Sequence, residues 1–307
     1  EYMSNNDIDQ ISIKRKANTK KKKKSNLPFI LIFLLGFCVL MYPIVTRWYY
    51  RVESKNVIAT FDSEKEKLSK EEVKRRMELA KAYNSSLHNE VTEDPYSDEK
   101  KQEGRAEYAR MIEIHEYIGH VQIPAIDVDI PIYAGTSEDV LQKGAGHLEG
   151  TSLPIGGLDT HTVITAHSGL PTATLFTHLS KLQIGDKFYI HNFAETLAYQ
   201  VDQIKVIEPS EFNDLLVVKG KDYATLLTCT PYMINTHRLL VRGHRVEYVK
   251  DLIDKELLEG KKNIWYMYLF YIVLFLLVVL IISTLYYIRK RRKISKKLKN
   301  ANVDNIK

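Results

Sequence analysis

Hydrophobic residues are spread along this chain in two different ways. Leu27 to Val45 and Ile264 to Ile288 are uncharged apolar runs of 19 and 25 residues. About 20 residues are needed to cross about 30 Å of hydrocarbon as a helix. Trp48, Tyr49 and Tyr50 follow the first run, Trp265, Tyr266 and Tyr268 open the second, and Tyr286 and Tyr287 close it. Such rings suit the headgroup level. The second run has no polar face, which separates it from a buried core helix. For the first, the alternative is a cleaved signal peptide, but Tyr42-Pro43 and Thr46-Arg-Trp-Tyr-Tyr50 stand where a small-x-small cleavage site belongs.

Between the runs the pattern shortens. Phe61 to Asn89 is highly charged, contains neither Gly nor Pro, and spaces its apolar residues as Leu68, Val73, Met77, Leu79, Ala80 and Tyr83. That pattern predicts an exposed helix with a narrow docking stripe. Asp94-Pro95-Tyr96-Ser97-Asp98 and Gly104 mark a loop. From Tyr117 the texture is β: Gly119–Ile123, Ile126–Tyr133, Thr160–His167, Lys187–Phe193, Leu197–Glu208, Asp222–Cys229 and Arg238–Tyr248. Short helices are expected at Ser137–Leu141 and Thr174–Leu182. Several short strands with turn signals and little helix imply a mainly β fold, a closed barrel of about 130 residues.

Charge refines this organisation. The net +6 resolves into +5 for residues 1–45 and +8 for residues 264–307, leaving −7 for the stretch between them. The basic residues flank the apolar runs, so a nucleic-acid partner has little support. Lys20–Lys24 and Arg289–Lys293 lie on the tail sides, which by the positive-inside rule puts both tails in the cytoplasm. The expected order is a basic tail (1–26), a transmembrane anchor (27–47), a charged helical segment (48–90) and a loop (91–105). The barrel (106–250), a linker (251–263), a second transmembrane helix (264–288) and a basic tail (289–307) follow. The protein is then a two-pass cell-membrane protein, in contact with lipid, whose barrel is extracellular.

Candidate chemistry lies in the barrel. Cys229 is the only cysteine outside an apolar run, so it has no internal disulfide partner there, and reactivity is the reason to keep it. It ends one strand, Arg238 begins the next, and His167 ends a third. If the last two strands pair as a hairpin, Cys229 and Arg238 flank its mouth, and the three groups make a site on the barrel rim. A thiolate is a strong nucleophile and a nearby cation favours it. Arginine stays protonated and donates to an oxyanion, while histidine shuttles protons. Singly, each residue has a plainer reading as a surface or core side chain. His237 adjoins Arg238 and competes as base on proximity alone, and His147 reads as a loop brace. A metal site has no C-x-x-C or H-x-x-x-H spacing behind it, and no cofactor is expected.

The segment Thr225-Leu-Leu-Thr-Cys229, with Arg238 and the upstream His167, resembles the sortases, membrane-anchored cysteine transpeptidases of Gram-positive cell surfaces. The resemblance covers about Tyr117 to Tyr248. Cys229 to Arg245, Gly146 to Pro154, the C-terminal apolar run and Asp94-Pro95-Tyr96 narrow it to class C, the pilin-polymerising sortases. It implies a sortase-type barrel with a lid in which Asp94, Pro95 and Tyr96 fold over the site. Tyr96 stands where Trp or Phe is usual, and Ala166 and Ser168 flank His167 where many members carry Gly and Arg. The implied reaction cleaves an LPXTG-like signal on a secreted pilin or surface protein between Thr and Gly. It proceeds through a thioester on Cys229 and ends on a pilin lysine amine. Transfer to a peptidoglycan amine, hydrolysis by a cysteine protease and a non-catalytic adhesion role are the alternatives.

Overall fold

The computed structural model describes residues 27–87, Tyr96, residues 109–249 and individual positions between 269 and 295. Asp94, Pro95, the linker at 251–263 and residues 1–26 lie outside the described residues. The chain divides into two units, Glu1–Trp48 and Tyr49–Lys307. In the first, the described part is the start of helix α1 (Leu27–Lys65). Among the described residues no helix is long and apolar enough to cross a membrane. The two flanking membrane helices therefore stay expectations of the sequence.

The charged segment read as one helix is two. The helix α1 ends at Lys65 and α2 spans Lys70–Ser86. Ser69 breaks the run because its hydroxyl accepts from the Glu72 amide at 3.1 Å, satisfying an amide that has no partner within the helix. Ser69-x-x-Glu72 carries the residues of a capping box, a start signal that uniform charge concealed. Glu71 and Glu72 complement the positive end of the helix. Glu72 also pairs with Arg75 and Arg76, and Arg76 continues to the Glu113 carbonyl at 2.8 Å.

Eight strands close the barrel: β1 (Gly119–Ile123), β2 (Val128–Ala134), β3 (Ala145–His147), β4 (Thr160–Thr165), β5 (Lys187–His191), β6 (Thr196–Ile207), β7 (Asp222–Thr230) and β8 (His237–Val246). Their order around the wall is β1-β2-β3-β4-β7-β8-β6-β5. The pairs β2/β3 and β4/β7 are parallel, and the others are antiparallel. The strand β3 was not expected, since three residues are too few for an alternating pattern. Its Gly146 is required because a Cβ there would strike the Gly135 carbonyl. The helix expected at Thr174–Leu182 reduces to a 3-10 turn at Leu179–Lys181. Leu175 takes a left-handed φ of 39°, which a continuous helix excludes.

One apolar cluster fills the interior with residues such as Val121, Ile132, Ile164, Tyr199, Leu226 and Val241. A second lies on the outward face of β4, β7 and β8 and contains Val163, Leu227, Cys229 and Leu240. The short helix α3 (Glu138–Leu141) and residues Phe212 and Leu215 cover it. These strands are therefore apolar on both faces, and side chains alternate between two cores rather than between core and water.

The C-terminal half of α1 crosses the outer surface of β1, β2 and β5. Ser54 donates to the Asp129 carbonyl at 3.2 Å, and Phe61 meets the His120 ring edge-on at 6.3 Å. His120 is buried, with Nδ1 2.7 Å from Asp129 Oδ1 and Nε2 3.8 Å from Asp62 Oδ1. Its ring stacks on His191 at 4.1 Å. Burial opposes a charge on His120, but its hydrogen bond to Asp129 and its pairing with Asp62 outweigh that and hold its pKa above the ordinary value. His191 is pushed down to about 3, first by burial and then by the charge on His120. A raised histidine stabilises the fold below its ordinary pKa and loses that contribution as pH rises through the folded value. Asp129→Asn is expected to remove about 1 kcal/mol, or about 2–4 °C of Tm, at pH 6. Thermal unfolding at pH 6 and pH 9 checks this: the deficit shrinks at the higher pH, and an equal deficit would show that His120 contributes no charge.

Candidate active site

The site is set by strand register. In the antiparallel pair β7/β8, Cys229 lies directly opposite Arg238, so both side chains leave the same face. In the parallel pair β4/β7, Thr165 is level with Leu227. The Ala166 amide extends the ladder to the Leu227 carbonyl at 3.2 Å, and the Thr228 hydroxyl donates to the Ala166 carbonyl at 2.7 Å. One further step brings His167 alongside Cys229. His161 pins the same pair: Nδ1 donates to the Leu216 carbonyl at 3.0 Å, so Nε2 accepts from Thr225 at 2.7 Å. Burial pushes His161 down to about 4, keeping it neutral for this role.

The expectation of a rim site is corrected in one respect. The three groups sit on the outer face of the wall, near the strand ends, because β4, β7 and β8 bury both faces. Cys229 is 7% exposed and Arg238 5%. Burying a guanidinium is costly unless its donors are used. Arg238 Nη1 donates to the Asn235 and His237 carbonyls at 3.0 and 3.1 Å. Met233 and Asn235, in left-handed conformations at φ 65° and 62°, curl the β7–β8 loop in front of it.

Tyr96 covers the group. Its ring lies 5.1 Å from the Arg238 guanidinium and 5.7 Å from the His167 ring. Its hydroxyl donates to the Ala166 carbonyl and bonds Thr165 Oγ1, both at 2.8 Å. Burial above all holds that hydroxyl well above the ordinary phenol range, so it stays protonated. The structure thus brings together His167, Cys229, Arg238 and Tyr96. It leaves His237 outside, engaged with Glu208 at 3.1 Å and Thr236 at 2.8 Å. His147 is fully buried against the Ser152 carbonyl at 2.8 Å, pushed down to about 4 by burial. Sequence reasoning missed Glu138, whose Oε1 lies 3.4 Å from His167 Nε2. Its only signal was its place at the start of a short helix.

Known proteins are similar to this chain over its barrel. The family model described as Sortase domain matches residues 121–246. Sortase A of Bacillus anthracis is 25% identical over 131 residues, 43% of this chain and 60% of that protein. Sortase A of Streptococcus agalactiae is 28% identical over 116 residues, 37% of this chain and 47% of that protein. The chain thus spans about half to two thirds of the length of the curated relatives it matches. The crystal structure of sortase C-1 from Streptococcus pneumoniae is 68% identical, covering 63% of this chain and 100% of that one with a TM-score of 0.62. A pilus-related sortase C of Group B Streptococcus is 64% identical over 62% of this chain and 97% of its own, with a TM-score of 0.60. The chain belongs to the sortase family. Within that family it falls in class C.

Tyr96→Ala removes one cation–π contact and two hydrogen bonds, each worth about 1 kcal/mol. Alkylation of Cys229 by iodoacetamide should accelerate at least about tenfold, since 1.4 kcal/mol is a factor of ten. Peptide-resolved mass spectrometry reads the rate, and equal rates in both proteins would show that the ring does not limit access.

Proposed function

We propose that the protein is a cysteine transpeptidase that joins pilin subunits. Cys229 attacks the Thr–Gly carbonyl of an LPXTG-like sorting signal, and Arg238 stabilises the tetrahedral oxyanion by donating to it. His167 protonates the glycine amine as the C–N bond breaks, leaving a thioester on the Cys229 sulfur. A pilin lysine amine then attacks, His167 takes its proton, and the thiolate leaves as the isopeptide bond forms. The energy of the cleaved amide is carried through the thioester, so no nucleotide is consumed.

The observation that carries this reading is the register setting Cys229 opposite Arg238, with His167 two residues past the end of the neighbouring strand β4. Pilus-related sortase C among the similar structures supports the pilin acceptor. The burial of Cys229 supports transfer over hydrolysis, because a site that excludes bulk water favours an amine bound in place. The reading includes two membrane passes with both tails cytoplasmic and the barrel outside. In α1, Ile32, Leu35, Val39 and Leu40 are 67–72% exposed. A soluble helix would bury such side chains, and lipid accommodates them.

The test incubates the full chain in detergent, as the Tyr96→Ala variant, with an LPXTG peptide and a lysine-bearing acceptor. Mass spectrometry should find the acyl-enzyme on Cys229 and the amide-linked product. Cys229→Ala should lose turnover by about 10⁴-fold or more with an unchanged thermal transition. Turnover retained in that variant would refute the assignment, and release of free acid alone with acceptor present would favour a hydrolase.

A further inference from the structure

We propose that Glu138 is a positioning residue for His167, its carboxylate set beside Nε2 as the counter-charge of the imidazolium. This rests on the role of His167 given above. Three features build the contact. The chain leaves β2 through Gly135, at φ 78°, and enters α3 at Ser137, which brings Glu138 to the first turn of that helix. Val140 and Leu141 of α3 are buried in the outer cluster beside Cys229, which fixes the helix against the wall. Gln142, one turn on, donates Nε2 to Glu138 Oε1 at 2.5 Å. That same oxygen is the one 3.4 Å from His167 Nε2.

The contact at Nε2 is an ion pair that forms when the ring is protonated. The Glu138 charge also favours the imidazolium, the form that must exist when the amine departs. In that step the imidazolium N–H bond breaks, the amine N–H bond forms, and Glu138 keeps its charge throughout. Among the described residues, the Tyr96 ring lies against His167, the Arg238 guanidinium lies beyond that ring, and Cys229 on β7 stands level with His167. Among these, Glu138 and the Cys229 thiolate favour the cation, and Arg238 opposes it.

The test compares Glu138→Gln and Glu138→Asp with the parent, all carrying Tyr96→Ala, in the full chain with the peptide and lysine acceptor. Glutamine keeps the size of the side chain and removes its charge. The expected result is a kcat lower by about tenfold, a KM changed less than twofold, and a basic limb of the pH–rate profile displaced downward by about 0.5–1 pH unit. Aspartate should restore part of the displacement. Titration of His167 by NMR, assigned with His167→Ala, must show the same downward shift without turnover. An unshifted His167 midpoint in Glu138→Gln overturns the inference, as does an unshifted profile in a set whose parent is active. A parent lacking Cys229-dependent transfer would instead overturn the proposed function, and the NMR titration would still decide Glu138.

Discussion

Everything at the site depends on the register of three strands. The parallel pairing of β4 with β7 and the antiparallel pairing of β7 with β8 make one rigid sheet whose outward face carries a thiol, an imidazole and a guanidinium. A slip of one residue in β7 would send Cys229 into the interior, where Ala224 and Leu226 now point. The register is held from both faces. Inside, Ile164, Leu226 and Val241 leave no room for a shift, and outside His161 locks β4 to β7 through Thr225 and the Leu216 carbonyl.

Burial on both faces of this wall has a chemical consequence. An exposed thiol and arginine would be solvated, with their charges screened over about 10 Å. Under Tyr96, α3 and the Phe212–Leu215 segment, the same groups lie in a medium that strengthens every charge interaction. The ring of Tyr96 spans His167 and Arg238 while its hydroxyl is spent on Thr165 and Ala166. Tyr96 and Thr228 thus share the Ala166 carbonyl at the end of β4, which ties the cover to the strand that carries Cys229.

The histidines illustrate how context assigns roles to one residue type. His147 and His161 are neutral braces because burial outweighs every interaction that favours their charge. His120, equally buried, is held above its ordinary pKa by Asp62 and Asp129 and helps seat α1 against the barrel. His167 is partly exposed, beside a thiol and a carboxylate, the setting in which an imidazole can change its proton.

The barrel was legible in the chain because strand periodicity is a local property, and Cys229, Arg238 and His167 were singled out by strand-end chemistry together with the resemblance of Thr225–Cys229 to the sortases. The parity of β8 alone placed Arg238, Leu240 and Arg242 on one face, as observed. Other features needed the fold. The short β3 carries too few residues to show a period, and the division between α1 and α2 was hidden in uniform charge, though Ser69 marked it. The outer position of the site follows from a second core that no single strand announces, since a strand apolar on both sides does not reveal which side faces in. Glu138 reaches the site only across a sequence separation that the closed wall brings together, whereas the resemblance had already set Tyr96 over it. Sequence determined which chemical groups this protein possesses; tertiary structure decided which of them meet, because contact between distant residues is a property of packing and not of order along the chain.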